Sequence, residues 1–195
     1  NMIRAIITDF DGTLVDTFEA NFRAYQKAFS ECGIVLTAEK YRECFGLRYD
    51  GFMSSMGIAD EDVVNKIKEL KKNYYPMFFE CLIPNYTLID MINTFHQMGG
   101  KTAIASTARK ENLMSAVGAL DLQKYFDVIL TGVDVEHGKP EPEIYNKTMT
   151  VMGVTSKETL IFEDSDIGIG AAIASGAKYI RVTPEWFEYG RNENS

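Results

Sequence analysis

The chain has 195 residues, 46% hydrophobic and 25% charged, proportions that suit one full apolar core with room for a small inserted lobe. They exclude disordered, collagen-like and coiled-coil organisation. Twenty Lys and Arg stand against 28 Asp and Glu, a formal net charge of −8, so no overall positive field gathers a phosphate backbone and nucleic acid is not an expected partner.

The first apolar run, Ile3–Thr8, reads as a buried strand. Asp9 and Asp11 interrupt it before the hydrophobic region of a signal peptide would be complete, and no apolar run approaches the roughly 20 residues of a membrane-spanning helix. The three cysteines, Cys32, Cys44 and Cys81, form an odd and widely spaced set with no C-x-x-C pair, which fits a reducing cytoplasm. From about Phe18 to Leu82 the spacing is helical, with Phe22, Tyr25 and Phe29 and then Val63, Ile67, Leu70 and Tyr74, and no strand intervenes. That interval predicts a helical insertion, with the aromatic run from Tyr74 to Phe79 in its core.

Pro84-Asn85 supplies a turn, and regular alternation follows. Thr102–Ala105, Val128–Thr131, Thr159–Phe162 and Tyr179–Val182 read as strands covered on both faces. Helical patterns separate several of them: Leu88, Ile92, Phe95 and Met98; Leu113, Val117 and Leu120; Ile144, Lys147 and Val151. Strand and helix in alternation predict a parallel, Rossmann-like α/β sheet. The stretch from Pro184 to Ser195 carries little structural signal.

In such a sheet ligands bind outside the carboxyl ends of the strands. Asp9-Phe10-Asp11-Gly12-Thr13 occupies that position after the first strand. Residues two apart on an extended chain share a face, so Asp9 and Asp11 can approach one ligand, and Gly12 lets the backbone turn beside it. Asp16 or Thr17 reads instead as the cap of the next helix. Glu163-Asp164-Ser165-Asp166 closes another strand before Gly168 and Gly170, with Ser165 or Asp166 as a helix cap. Carboxylates converging from both loops need a cation, and oxygen-only ligands point to magnesium. Ile173 breaks a G-x-G-x-x-G fingerprint, and no G-x-x-x-x-G-K-[ST] occurs. Ser106-Thr107 at a strand end and Lys139 after Gly138 supply the hydroxyl and cation of an anion cradle.

With D-x-D-G-T at Asp9–Thr13, a strand-end Ser106, Lys139 and E-D-S at Glu163–Ser165 in order, the sequence resembles the haloacid dehalogenase (HAD) superfamily of phosphatases and phosphomutases over nearly its whole length. The resemblance implies an HAD-like α/β core at 1–16 and 84–195 with an inserted α-helical cap at 17–83, of the type in phosphoglycolate phosphatases and β-phosphoglucomutases. It implies that Asp9 is the nucleophile, forming an aspartyl phosphate, and that Asp11 is the acid and base. It also implies Mg2+ held by Asp9, the Asp11 carbonyl and Asp164 with Glu163 in support. Ser106 and Lys139 would hold the phosphoryl oxygens, with N–H groups near Gly12 and Thr107.

Asn21 falls near a position where β-phosphoglucomutase has a His, which favours a hydrolase over a mutase. Gly46-Leu47-Arg48-Tyr49 resembles the cap loop that reaches the site, so Arg48 is expected to contact a second anionic group of the substrate, with Lys71 and Lys72 as further candidates. His96 and His137 are expected outside the catalytic set. The expected activity is magnesium-dependent hydrolysis of a small phosphorylated metabolite by a cytoplasmic monomer or weak homodimer. A sugar phosphomutase and a non-catalytic phospholigand-binding protein are the alternatives.

Overall fold

A computed structural model describes residues 2–187. Five parallel strands form the main sheet: β1 (Ala5–Thr8), β4 (Lys101–Ala105), β5 (Val128–Leu130), β6 (Thr159–Glu163) and β7 (Lys178–Arg181), in the order β5-β4-β1-β6-β7. All five lie where the sequence places a strand. The central strand is buried throughout and its side chains alternate between two cores. Ile6 joins Leu88, Ile92, Leu113 and Val117 from helices α5 (Tyr86–Gln97) and α6 (Lys110–Ala119). Ala5 and Ile7 join Ile144, Tyr145, Met149, Ala171 and Ala172 from α7 (Glu143–Met152) and α8 (Asp166–Ser175). The chain is therefore a three-layer α/β fold, with small residues on α8 letting it lie close to the sheet.

Two short strands the sequence does not reveal, β2 (Val15–Asp16) and β3 (Ile83–Pro84), pair antiparallel and bring the two ends of the insertion together. Between them lie α1 (Phe18–Glu31), α2 (Ala38–Cys44), α3 (Tyr49–Ser55) and α4 (Glu61–Tyr74). Their core is aromatic: Tyr25, Phe29, Tyr41 and Phe52 meet edge-on or tilted at centroid separations of 5.0–6.3 Å. Such pairs add to the apolar area they bury.

Several expectations shift by a few residues. The buried face of α1 carries Ala20, Asn21, Ala24, Tyr25, Ala28 and Phe29, so Phe22 is only half-buried at its edge. On α7 the buried face is Ile144, Tyr145, Thr148, Met149 and Met152, while Val151 is 58% exposed. Met98 is 81% exposed beyond the end of α5. The aromatic run after Tyr74 folds as a 3-10 turn at Tyr75–Cys81, and Tyr75 packs with Leu14, Ala20 and Leu82 in the core beneath the insertion. Trp186 stands edge-on to Phe162, 6.2 Å away. The remainder of the C-terminal stretch, 188–195, lies outside the described residues.

Candidate active site

The loop after β1 is tightly wound. The Phe10 carbonyl accepts from the N–H groups of Thr13, Leu14 and Val15, and Gly12 takes φ +86°, a left-handed conformation open to glycine. A Cβ at Gly12 would lie 2.3 Å from Asp164 Oδ2, so the turn and the carboxylate at the end of β6 need glycine twice over.

This geometry puts Asp9 at the meeting point of three strand ends. Its Oδ1 accepts from Lys139 Nζ at 2.8 Å and its Oδ2 from Thr13 Oγ1 at 3.1 Å. Thr13 Oγ1 also lies 2.9 Å from Asp164 Oδ1. Lys139 is buried, and its Nζ donates further to Glu163 Oε1 at 2.5 Å and to the Ala105 carbonyl at 3.1 Å. Burial alone would lower its pKa, but the charges of Asp9 and Glu163 outweigh that and hold it well above the ordinary lysine value. Glu163, 1% exposed, takes a second hydrogen bond on Oε1 from the Tyr145 hydroxyl, while Oε2 has no partner.

Oxygen atoms of Asp9, Glu163 and Asp164 lie within 4.8 Å of one another. Burial, with Asp9 and then Glu163 adding repulsion, pushes the Asp164 carboxyl up to about 8. Burial and Asp9 push Glu163 the same way, against Lys139. An orphaned carboxylate oxygen, an all-oxygen donor set and more negative charge than one lysine balances fit a small hard divalent cation.

Asp11 is placed differently from Asp9. Its Oδ1 accepts from Thr17 Oγ1 at 2.6 Å and lies 3.4 Å from Asn21 Nδ2, which in turn faces the Tyr75 hydroxyl. Burial raises the Asp11 pKa; the Thr17 hydrogen bond opposes it and the charge of Asp9 adds to it. Of the two candidate caps Asp16 takes that place, its Oδ1 accepting from the Phe18 N–H at the start of α1, while the Thr17 hydroxyl serves Asp11 and makes no cap bond. Ser165 does cap α8, accepting from Gly168 N at 3.0 Å, and Asp166 pairs with Arg181 on the surface.

These groups face a cavity of about 490 Å³. Its floor holds Asp9, Asp11, Ser106, Thr107, Lys139 and Asp164, and the helical insertion supplies Tyr25, Tyr41, Arg48, Tyr49, Lys71 and Tyr75. Ser106 is buried, with Oγ accepting from Ala108 N at 3.1 Å. Arg48, the residue before α3, lays its side chain over Gly138, where a Cβ would come within 2.6 Å of Cδ. Its Nη1 is buried without a partner. Lys71 is 3% exposed, with Nζ 3.9 Å from the Tyr75 ring centroid and 4.9 Å from that of Tyr25. Burial lowers its pKa to about 7, with Asp11 pulling upward and Arg109 adding to the fall.

Lys72, paired with Lys71 in the sequence reading, points away: it is exposed and lies 3.7 Å from Glu69. The reading missed Arg109, which precedes α6, lines the cavity and has a buried, unpartnered Nη1. Its position three residues after Ser106 was the available signal. His96 sits by Thr102 and Asp127, and His137 by Glu143, both outside the cavity lining.

A parallel sheet that gathers carboxylates and a buried lysine side chain at its strand ends, beneath a helical insertion, marks an α/β enzyme that works at those strand ends rather than a nucleotide-fingerprint or P-loop protein. The chain belongs to the haloacid dehalogenase-like hydrolase family, whose model matches residues 6–182. It is 31% identical to the phosphorylated carbohydrates phosphatase of Thermotoga maritima, over 91% of this chain and 84% of that one. It is 28% identical to protein CbbY of Rhodobacter capsulatus, over 98% and 89%. A variant of CbbY from Rhodobacter sphaeroides, solved with xylulose-1,5-bisphosphate, superposes with a TM-score of 0.83 at 25% identity, covering 96% of this chain and 89% of that one. Among the described residues no helix is long and apolar enough to cross a membrane.

Proposed function

We propose that this protein is a magnesium-dependent phosphatase acting on a small organic phosphate monoester through an aspartyl-phosphate intermediate on Asp9. The observation that carries the reading is the Asp9 carboxylate, set between Lys139 and the Thr13–Asp164 pair at the floor of the cavity. On this reading the core is 1–16 with 84–195, and the cap is 17–83.

An Asp9 oxygen forms a bond to phosphorus as the ester oxygen leaves, and Asp11, its pKa raised by burial, gives that oxygen its proton. Asp11 then takes a proton from water, whose oxygen attacks phosphorus and frees Asp9 with inorganic phosphate. Lys139, Ser106 and the N–H groups of the Gly12 turn and Thr107 hold the phosphoryl oxygens as charge builds on them. Asp9, Asp164 and the Asp11 carbonyl would hold magnesium, with Glu163 beside them, and the cation would neutralise phosphoryl charge. The cytoplasm suits a substrate of this kind.

The finer reading concerns the far side of the cavity. Arg48 and Arg109 each carry a buried Nη1 with no partner, and Lys71 lies between aromatic rings near Asp11. Unpaired buried donors are costly unless a ligand meets them. A second anionic group on the substrate would do so, as in the bisphosphate that the relative CbbY holds. Arg48→Ala is expected to raise KM for a sugar bisphosphate about tenfold to a hundredfold and to leave esters without a second anion nearly unchanged. Equal losses on both kinds of ester would remove Arg48 from that role.

Magnesium linkage gives a further expectation. Asp164 has a pKa of about 8 in the folded protein against 3.8 as its reference, so metal-free protein binds more protons folded than unfolded between those values. That stabilisation is complete below the reference pKa and is lost as pH rises through about 8. A cation competes with these protons, so the rise in Tm on adding magnesium should grow from about pH 5 to about pH 8.5. Melting curves in chelator and in magnesium measure it, and an increment that stays flat would refute a cation site at Asp164.

The reading as a whole is tested by phosphate release from a panel of sugar phosphates, sugar bisphosphates, phosphoglycolate, nucleotides and pyrophosphate, with magnesium and with chelator. Magnesium-dependent release is the expected result. Transfer between hydroxyls without free phosphate would make the protein a mutase, and binding without turnover would make it a phospholigand-binding protein.

A further inference from the structure

We propose that Tyr145 is a positioning residue for phosphoryl transfer: its hydroxyl holds Glu163, so that Lys139 can turn one of its donors to the phosphoryl group. The proposal rests on the reading of Asp9 as nucleophile.

Lys139 Nζ has three N–H donors and already three acceptors: Asp9 Oδ1 at 2.8 Å, Glu163 Oε1 at 2.5 Å and the Ala105 carbonyl at 3.1 Å. A phosphoryl oxygen arriving at Asp9 can bind Lys139 only by displacing one of these. The Glu163 contact is the one the site can loosen at least cost, because Asp9 is reacting and Glu163 Oε1 keeps the Tyr145 hydroxyl as a donor when Lys139 turns. Glu163 is 1% exposed and its Oε2 has no partner, so without Tyr145 a displaced lysine would leave a buried carboxylate with no donor at all.

Tyr145 is suited to the task. It is fully buried in the core shared with Ala105 and Ile161, which fixes its ring, and Lys139 Nζ stands 5.1 Å from that ring's centroid. Lysine, tyrosine and glutamate therefore form one closed triangle. Six positions separate Lys139 from Tyr145, and the loop between them starts α7, so one short segment delivers both the cation and the group that replaces it on Glu163. Burial pushes the phenol pKa well above its ordinary value, with Lys139 pulling against it, so the hydroxyl keeps its proton and remains a donor.

Tyr145→Phe keeps the ring and its packing and removes only the hydroxyl. With magnesium present, kcat and kcat/KM for a sugar phosphate should fall together by about tenfold to a hundredfold, with KM within about twofold, because the missing bond matters only once Lys139 has turned. The inhibition constant of vanadate, which mimics the phosphoryl group in transfer, should rise by a similar factor. A double-mutant cycle isolates the link: Tyr145→Phe should cost little further in a Glu163→Gln background, since Tyr145 acts through that carboxylate. A structural role alone would lower Tm while leaving kcat and vanadate affinity at the parent values, and would overturn the proposal; so would additive losses in the cycle. Asp9→Asn, run alongside, keeps the two readings apart. Turnover surviving in that variant sinks the nucleophile, whereas an inactive Asp9→Asn beside a fully active Tyr145→Phe sinks only the positioning role. Circular dichroism and Tm on each variant confirm that folded proteins are being compared.

Discussion

Asp9→Asn is expected to abolish phosphate release, by about 10⁴-fold or more, and to leave the protein folded and at least as stable as the parent when metal is absent. The activity loss follows because an amide has no charged oxygen to form the bond to phosphorus. The stability follows from the local charge balance. Asp9 repels Glu163 and Asp164, and it raises the pKa of both. An amide of the same shape can still turn its oxygen to Lys139, which stands 2.8 Å from Oδ1, and its NH2 toward Thr13 Oγ1. The variant thus removes one charge from a crowded acidic site while keeping its hydrogen bonds. Phosphate release on the best substrate of the panel, together with metal-free melting curves, checks both halves. Retained turnover would take the nucleophile away from Asp9, and a large fall in Tm would show that its charge holds the site together.

The acidic floor of the site was legible in the sequence for a physical reason. Its residues sit directly at strand ends, and a buried parallel strand is a short apolar run that any chain must stop with polar residues. Once Ile3–Thr8 and Thr159–Phe162 are recognised, Asp9 and Glu163-Asp164 can only be at the same edge. What escaped depends on which way a side chain turns. Asp16 and Thr17 are equal candidates for one cap in the sequence, and only the fold gives the Phe18 N–H to Asp16 and the Thr17 hydroxyl to Asp11. Lys71 and Lys72 are adjacent in sequence, but on a helix they point about 100° apart, and only Lys71 enters the cavity. On α7 the inward face is shifted by one position from the apolar reading, because Thr148 is buried by donating to the Ile144 carbonyl while Val151 faces out. Strands β2 and β3 have two residues each, too few for any period to register. Arg109 and Tyr145 share the same difficulty: their roles lie in contacts with residues far away in the chain, and neither type is by itself a motif.

Lys139→Met is the second variant with a large expected effect, and it acts on stability and activity through the same atoms. Lys139 is the cation between two carboxylates, with its side chain 7% exposed against 12% for Asp9 and 1% for Glu163. Methionine fills most of its volume but leaves Asp9 and Glu163 without their counter-charge. Breaking a buried pair by removing one partner costs about 3–5 kcal/mol, more than the pair itself contributes, because desolvated charge is left behind. Glu163 can escape that cost by taking up a proton, so its pKa, already raised by burial and Asp9, climbs further in the variant. A carboxylate whose folded pKa is raised contributes stability at low pH that is lost as pH rises through that value. The Tm deficit of metal-free Lys139→Met should therefore be small near about pH 5 and widen toward about pH 8, as Glu163, already raised to about 7 in the parent, loses its proton. Activity should be lost at every pH, by about 10³-fold or more, since a protonated carboxylate replaces neither the charge nor the donor that the phosphoryl oxygens need. The two readouts part company only if Lys139 serves both tasks: a surface lysine would move neither, and a purely structural one would recover turnover wherever acid restores the fold.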